Sequence, residues 1–547
     1  MARQAHDLSS TASGELAEVV TAFREGRLSR RQLLTRLAAL GLSVPAAMTF
    51  TSMRGYGSAE AQGTPPAGAT ARSGGRLVVS MSQSPSSLDP AFGINAPEFS
   101  ITSWIYDNLV WLGADLELRP MLATEWSSNE DASVWTFKLR DDVRFTNGRP
   151  LVADDVVFSV SRILNPDTGS PGKSGLGPIA TVEAVDDRTV VFNLSSSHAD
   201  FPLELSQRWG RIMPREAEAQ LATEPVGSGP FKLAEYVPGS HVLVVRNEDH
   251  WDPNAGLVDE IYLQTFPDEI AEMTALQNGD VHIMYDVPAA AHEQIAGFEN
   301  VTISEVPTGT WIPMVMRVDT PPFDKPQVRE AIKLCMDRPA FVDAVLFGHG
   351  TTANDQNVPP NHPFAWEAEP RQRDVERAKA LLAEAGLPEG FEFELVAATD
   401  RAIRADTAVT IQQMVKDAGI TFNVKTIDYD TYIAQVYKKG PLYIGYWGMR
   451  PTLDSQMVPF FTTDGSFNEY AYSNPALDEK LFAARAELDP EQRKTLYQEA
   501  QQILSLEGPV LIPYFLNFAS AYSAEVIGFE AHPLTSFDLR YVSLQRS

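Results

Sequence analysis

Apolar positions along the chain recur at two spacings, and the spacing switches repeatedly between them. In WTFKLRDDVRF, Trp135, Phe137 and Leu139 occupy alternate positions, which puts them on one face of a strand that ends at the Asp141-Asp142 turn. In LVADDVVFSVSRIL the period lengthens: Val156, Val157, Val160, Ile163 and Leu164 trace a helical stripe that Asp154 or Asp155 can cap. TVEAVDDRTVVFNL returns to alternation and predicts a hairpin about Asp186-Asp187. Further on, DVERAKALLAEAG sets Ala378, Leu381, Leu382 and Ala385 on one helical face, with Asp374 as cap and Gly386 as stop. DPEQRKTLYQEAQQIL offers Asp489 as N-cap, Pro490 at the first helical position and the stripe Leu496, Tyr497, Ala500, Ile503, Leu504. A further strand is predicted from Arg76 to about Met81. Helices alternating with apolar strands predict α/β architecture.

One stretch fits neither period. LYIGYWGMRPTLDSQMVPFFT, residues 442–462, starts as an apolar strand and then gathers Tyr446, Trp447, Met449, Arg450 and Asp454 within nine residues. Pro451 and Pro459 argue against a regular helix through it. An aromatic surface beside one cation and one anion at a strand end suits a small amphoteric ligand.

Length allows two or three domains in 547 residues, since single cores stop growing at roughly 250–300. The formal charge of −28, from 44 basic against 72 acidic residues, repels phosphate backbones and makes nucleic acid an unsuitable partner. The lone Cys335 lies in an amphipathic pattern and is assigned to the core. At the N-terminus, Ser29-Arg30-Arg31-Gln32-Leu33-Leu34 fits a twin-arginine signal, followed by a short apolar stretch and an Ala59-Glu60-Ala61 cleavage site. Residues 1–61 are therefore expected to be an export address and 62–75 a disordered lead-in. Loss of the signal removes seven basic and five acidic residues and takes the charge to −30.

The run LATEWSSNEDASVWTFKLRDDVRFTNGRPLVADDVVFSVSRI and the later VGSGPFKLAEYVPGSHVLVVRNEDHWDP resemble two segments of the family 5 extracellular solute-binding proteins, the oligopeptide-, dipeptide- and nickel-binding components of ABC importers. IYDNLVWLGADLELRPMLA, PPFDKPQVREAIKLCMDR and DVERAKALLAEAG continue the resemblance in order along nearly all of the exported chain. It implies a bilobed periplasmic binding protein of type II with an added subdomain and two hinge crossings. By that resemblance lobe I takes 74–111, 223–308 and 512–547, with 112–222 as the added subdomain, and lobe II takes 309–511. The crossings then fall at VPTGTWIPMVMRV and VLIPYFLNFASAY. It also implies a monomeric periplasmic protein that carries a small ligand to ABC permease subunits in the inner membrane.

No G-x-S-x-G, H-E-x-x-H, Walker A or G-x-G-x-x-G element is present, so no catalytic residue, cofactor or metal is expected. His198, His241, His250, His282 and His292 read as surface or structural residues. Many peptide-binding relatives carry an Asp three residues after the Trp corresponding to Trp447, and that Asp pairs with the peptide ammonium. Here the position is Arg450, which selects for an acidic group. Asp454 either joins it to hold a zwitterion or pairs with it to steady the loop. Arg317 is a second cationic candidate, and Trp447, Tyr446, Trp311 and, from the other lobe, Phe92 are candidate aromatic walls. The expected ligand is a peptide-like or amino-acid-derived compound with an acidic group; an opine or sugar-phosphate conjugate or a nickel chelate is the alternative on the same fold. A periplasmic enzyme or chaperone is the alternative of another class.

Overall fold

A computed structural model describes residues 74–545; the twin-arginine segment, its cleavage site and the start of the lead-in lie outside them. The chain builds three principal sheets. The largest runs in the order Val301–Trp311, Tyr514–Ser523, Ile283–Met284, Arg76–Met81, Glu260–Thr265, His241–Arg246, Phe231–Val237, with Gly350–Thr352 also paired to Tyr514–Ser523. Arg76–Met81 is parallel to both of its neighbours, and its residues Leu77, Val79 and Met81 are buried. A strand that buries alternate residues on one face and is hydrogen-bonded on both edges is a rigid base for whatever loop follows its carboxyl end.

The second sheet has the order Ile420–Ile427, Phe391–Ala398, Leu442–Ile444, Met314–Met316, Val510–Leu511. Helices Pro326–Leu334, Val375–Glu384 and Ala402–Val415 bury their stripes against it, with Cys335 among the fully buried side chains. Burying each large aliphatic side chain of this kind contributes about 1.5–3 kcal/mol. The third sheet is the antiparallel meander Ala123–Ser128, Val134–Leu139, Thr189–Leu194, Ile179–Asp186. Helix Ala153–Leu164 packs its apolar stripe into the same core.

Local signals act as their chemistry dictates. Asp374 and Asp489 accept from the backbone N–H groups of their first helical turns. Gly386 takes a left-handed φ of 82° just past the helix it stops. Asp155 caps from the third helical position by accepting from the Val152 N–H at 3.0 Å.

The chain passes from the large sheet to the second one directly, Val301–Trp311 leading into Met314–Met316, and returns through Val510–Leu511 into Tyr514–Ser523. Asp355 supports the return: it accepts from the Ile512 N–H at 3.1 Å and is fully buried against Arg338 at 2.6 Å. Among the described residues no helix is long and apolar enough to cross a membrane.

The expectation of an irregular segment after residue 450 is overturned in part. Leu453–Phe461 is a helix. Thr452 caps it by accepting from the Ser455 N–H at 3.0 Å, and Pro451 stands ahead of that cap, where it obstructs nothing. Pro459 comes late enough that only one intrahelical donor is lost, and the Thr462 N–H still reaches the Val458 carbonyl at 3.3 Å.

Candidate functional site

The strand Leu442–Ile444 ends against the crossing. Trp447 and Trp311 exchange backbone hydrogen bonds of 2.9 and 3.1 Å, and the Gly309 N–H donates to the Met449 sulfur at 3.1 Å. Gln456, on the following helix, accepts from the Arg450 N–H at 2.8 Å and donates to the Asn357 and Gly309 carbonyls at 2.8 and 3.2 Å. The backbone that carries Arg450 is thus tied to the crossing strand. Its guanidinium is not: among the described residues it forms no hydrogen bond and no ion pair, and it lies 6.0 Å from the centroid of the Phe467 ring.

A second guanidinium is close enough to act on it through its charge. Arg208, from the 112–222 segment, stacks over Trp209 at 4.4 Å and Phe99 at 5.2 Å, again with no carboxylate partner among the described residues. Partial burial and the neighbouring Arg450 hold its pKa down at about 10. Arg450 is lowered as well, chiefly by burial, with Glu204 acting in the opposite direction. Two half-buried like charges that no carboxylate contacts directly form a positive locus that an anion would neutralise.

Asp286, which follows the large-sheet strand Ile283–Met284, acts through its charge on Tyr446 and Arg401. Solvent reaches this carboxylate, but protein surrounds it, and that desolvation, opposed by Arg401, raises its pKa to about 6. Arg401 stacks on Tyr446 at 4.3 Å, and the burial that raises the Tyr446 hydroxyl is reinforced by Asp286. The site therefore carries an acid as well as two bases.

On one side the two halves are in direct contact. The Thr452 hydroxyl donates to Glu204 at 2.6 Å, the Ala199 N–H donates to the Arg485 carbonyl at 2.8 Å, and Arg493 reaches Asp200 at 3.3 Å. His198 is buried between Glu204 at 3.6 Å and Asp454 at 3.7 Å.

Of the residues singled out in the sequence, Arg450, Trp447 and Tyr446 are half-buried at this locus. Trp447 is anchored by donating its indole N–H to the buried Glu469 at 2.6 Å, and it packs edge-on to Phe460. Three of the expectations are corrected. Asp454 neither pairs with Arg450 nor stays free for an ammonium, because Arg485 forks onto it at 2.6 and 3.1 Å. Trp311 is fully buried against Phe460 and is core rather than wall. Arg317 forks onto Asp319, two residues on, at 2.7 and 3.1 Å, and donates to the Lys438 carbonyl, so a structural bond occupies it. Phe92 is 38% exposed in the loop beyond the first strand, and Arg162 of its own half lies 5.9 Å over its ring.

Sequence reading missed Arg208, Asp286 and Arg401. Each lies in a stretch with no local signature, and the three come from segments far apart in the sequence.

The profile of the bacterial extracellular solute-binding proteins, family 5, matches residues 117–469, well over half of the chain. The chain belongs to this family. Its members are extracellular or periplasmic binding proteins rather than enzymes, and this solute-binding protein is the ligand-capturing component of an ABC importer. It is 27% identical over 487 residues to the glutathione-binding protein GsiB of Shigella dysenteriae, an alignment covering 86% of this chain and 94% of that one. Its fold matches the PBP AgaA of A. tumefaciens R10, solved with agropinic acid, at a TM-score of 0.72 and 25% identity over 86% of this chain and 99% of that one. HbpA2 of Haemophilus parasuis matches at a TM-score of 0.77, also 25% identical, over 86% and 100%.

Proposed function

We propose that this solute-binding protein captures a peptide-like or amino-acid-derived compound bearing an acidic group, and that Arg450 and Arg208 hold that group from opposite sides. The observation that carries the reading is the pair itself: two half-buried guanidiniums that repel each other through their charge and form no ion pair or hydrogen bond among the described residues. Guanidinium forks bind carboxylate, phosphate or sulfonate bidentately. Asp286 supplies the complementary charge for an ammonium group, taking the place the sequence assigned to Asp454. The names of two similar proteins support the ligand class, glutathione for one and agropinic acid for the other. The second of these favours an opine as the variant reading.

In this reading lobes I and II close by bending at 306–318 and 510–522, and the ligand stabilises the closed form because it touches both lobes only there. The exported chain works as a periplasmic monomer, delivered by the twin-arginine route, and presents its closed form to the permease. A thermal-shift and calorimetric screen over peptides, opines, sugar phosphates and organic acids tests the ligand class. The best ligand should bind without turnover and lose about 2–5 kcal/mol of affinity in Arg450→Ala. An unchanged affinity in that variant would return Arg450 to the role of a loop residue.

A further inference from the structure

Apart from the ligand cleft, the described residues bring three metal-ligating side chains together at the crossing. His292 opens the short helix His292–Ala296, Glu305 lies in the crossing strand Val301–Trp311, and His349 follows the turn that ends helix Arg338–Leu346. The Glu305 Oε2 is 3.1 Å from the His292 Nε2 and 3.0 Å from the His349 Nδ1, and the three donor atoms lie within 4.8 Å of one another. Two ligands each about 2.1 Å from a shared ion stand roughly 3.0–3.4 Å apart, so both separations from the carboxylate already suit a common metal.

The surroundings are those of a ligand set rather than a chance cluster. Asn517 donates to the other oxygen of Glu305 at 2.6 Å, which turns Oε2 toward both rings, and the Thr351 hydroxyl in turn reaches the Asn517 carbonyl oxygen at 3.4 Å. Outer hydrogen bonds of this kind orient metal ligands. The His292 Nε2 is buried and makes no hydrogen bond. Such an orphaned nitrogen is costly unless its lone pair meets a partner. The two rings stack at 3.6 Å, an arrangement that disfavours charging both imidazoles at once. A cavity of about 390 Å³, lined by Ala289, Ala290, His292, Glu293, Phe347 and His349, opens beside them and leaves room for water on the ion.

We propose that His292, Glu305 and His349 bind one first-row divalent transition metal at the crossing between the lobes. Two imidazoles and one carboxylate select zinc, nickel, copper or cobalt over magnesium or calcium, and leave further coordination positions open. The ligands come from three separate segments, one before the crossing strand, one within it and one beyond it, so the ion ties together the elements about which the lobes turn. This site is independent of the acidic ligand proposed for the cleft.

The test is titration of the whole chain, purified without a histidine tag, with Zn²⁺ by calorimetry and with Co²⁺ by visible absorption. One equivalent of each is expected, with a cobalt spectrum typical of nitrogen and oxygen ligands. His349→Ala should weaken zinc at least 100-fold; this side chain sits just after a turn, is 28% accessible, and can be removed without opening a core. Glu305→Gln should weaken it as well, and His241→Ala, on a different strand, should not. Circular dichroism and melting without metal establish that each variant is folded. Absence of submillimolar binding by the parent chain, or equal binding by folded His349→Ala, overturns the proposal.

Discussion

The Thr452 hydroxyl donates to Glu204 across the two halves of the molecule, at 2.6 Å, and accepts from the Ser455 N–H at 3.0 Å. One side chain thus starts the helix behind the candidate site and fastens that helix to the opposite half. Thr452→Val keeps the shape and removes both bonds. The helix should lose about 1 kcal/mol of cap stability, and the closed form should lose a contact that the open form lacks. Ligand affinity should therefore fall more than melting temperature does, and small-angle scattering of the ligand-free protein should report a larger radius of gyration.

The like-charged pair Arg208 and Arg450 makes a prediction of opposite sign for stability and for binding. Arg450→Met or Arg208→Met removes an unneutralised like charge while keeping bulk, so the ligand-free protein should gain on the order of 1 kcal/mol. The same variants should lose most of the ligand-induced rise in melting temperature. Parallel melts with and without the best ligand check both halves, and a destabilised ligand-free variant would contradict the like-charge account.

His198 should make closure sensitive to pH. Burial alone would lower its pKa, but Glu204, Asp454 and Asp200 outweigh that and raise it above the usual imidazole value of 6.5. A raised pKa in the closed state adds stability that is complete below about pH 6.5 and is lost as pH rises through the higher value. Ligand affinity measured between about pH 6 and 8 should weaken toward the alkaline end. His198→Gln should flatten that dependence.

Acid should unfold the protein partly through Asp107. This carboxylate is fully buried and accepts from Trp251 at 2.9 Å, Ser228 at 3.2 Å and Arg540 at 3.3 Å. Burial pushes its pKa up, but His250, Arg540 and Trp251 together bring it down to about 2 from an ordinary 3.8. The stability it adds is therefore present above about pH 4 and lost as pH falls toward 2. Asp107→Asn should cost about 3 kcal/mol at neutral pH and flatten the acid limb of a melting-temperature profile.

Much of the architecture was legible because it depends on local chemistry. The alternation Trp135, Phe137, Leu139, the stripe Val156 to Leu164 and the caps Asp374 and Asp489 each form the element their spacing predicts. The helix Leu453–Phe461 was hidden because two prolines read as breakers, when one lies before the cap and the other late in the helix. At the site, Arg450 was legible against the family pattern, but its partners were not. Whether an arginine is bound or free depends on which acid the fold brings near it: Arg317 meets Asp319, Asp454 meets Arg485, and Arg450 meets none among the described residues. The cluster of His292, Glu305 and His349 was invisible for the same reason, since 13 and 44 residues separate its members.

Trp447 carries one further consequence. Its indole N–H is fixed on Glu469, a buried acid that also accepts from Tyr443 at 2.9 Å, and Phe460 and Phe467 brace the ring. Such a ring has no polar vocabulary left for a guest and little freedom to move aside. In the proposed function it would serve as a gauge of bulk: compounds that differ only in polar decoration on that side should be accepted alike, while one methylene too many should be penalised by about 1–3 kcal/mol. In the proposed function, identity would then be read as charge at the arginines and as girth at the tryptophan, two measurements made by different side chains.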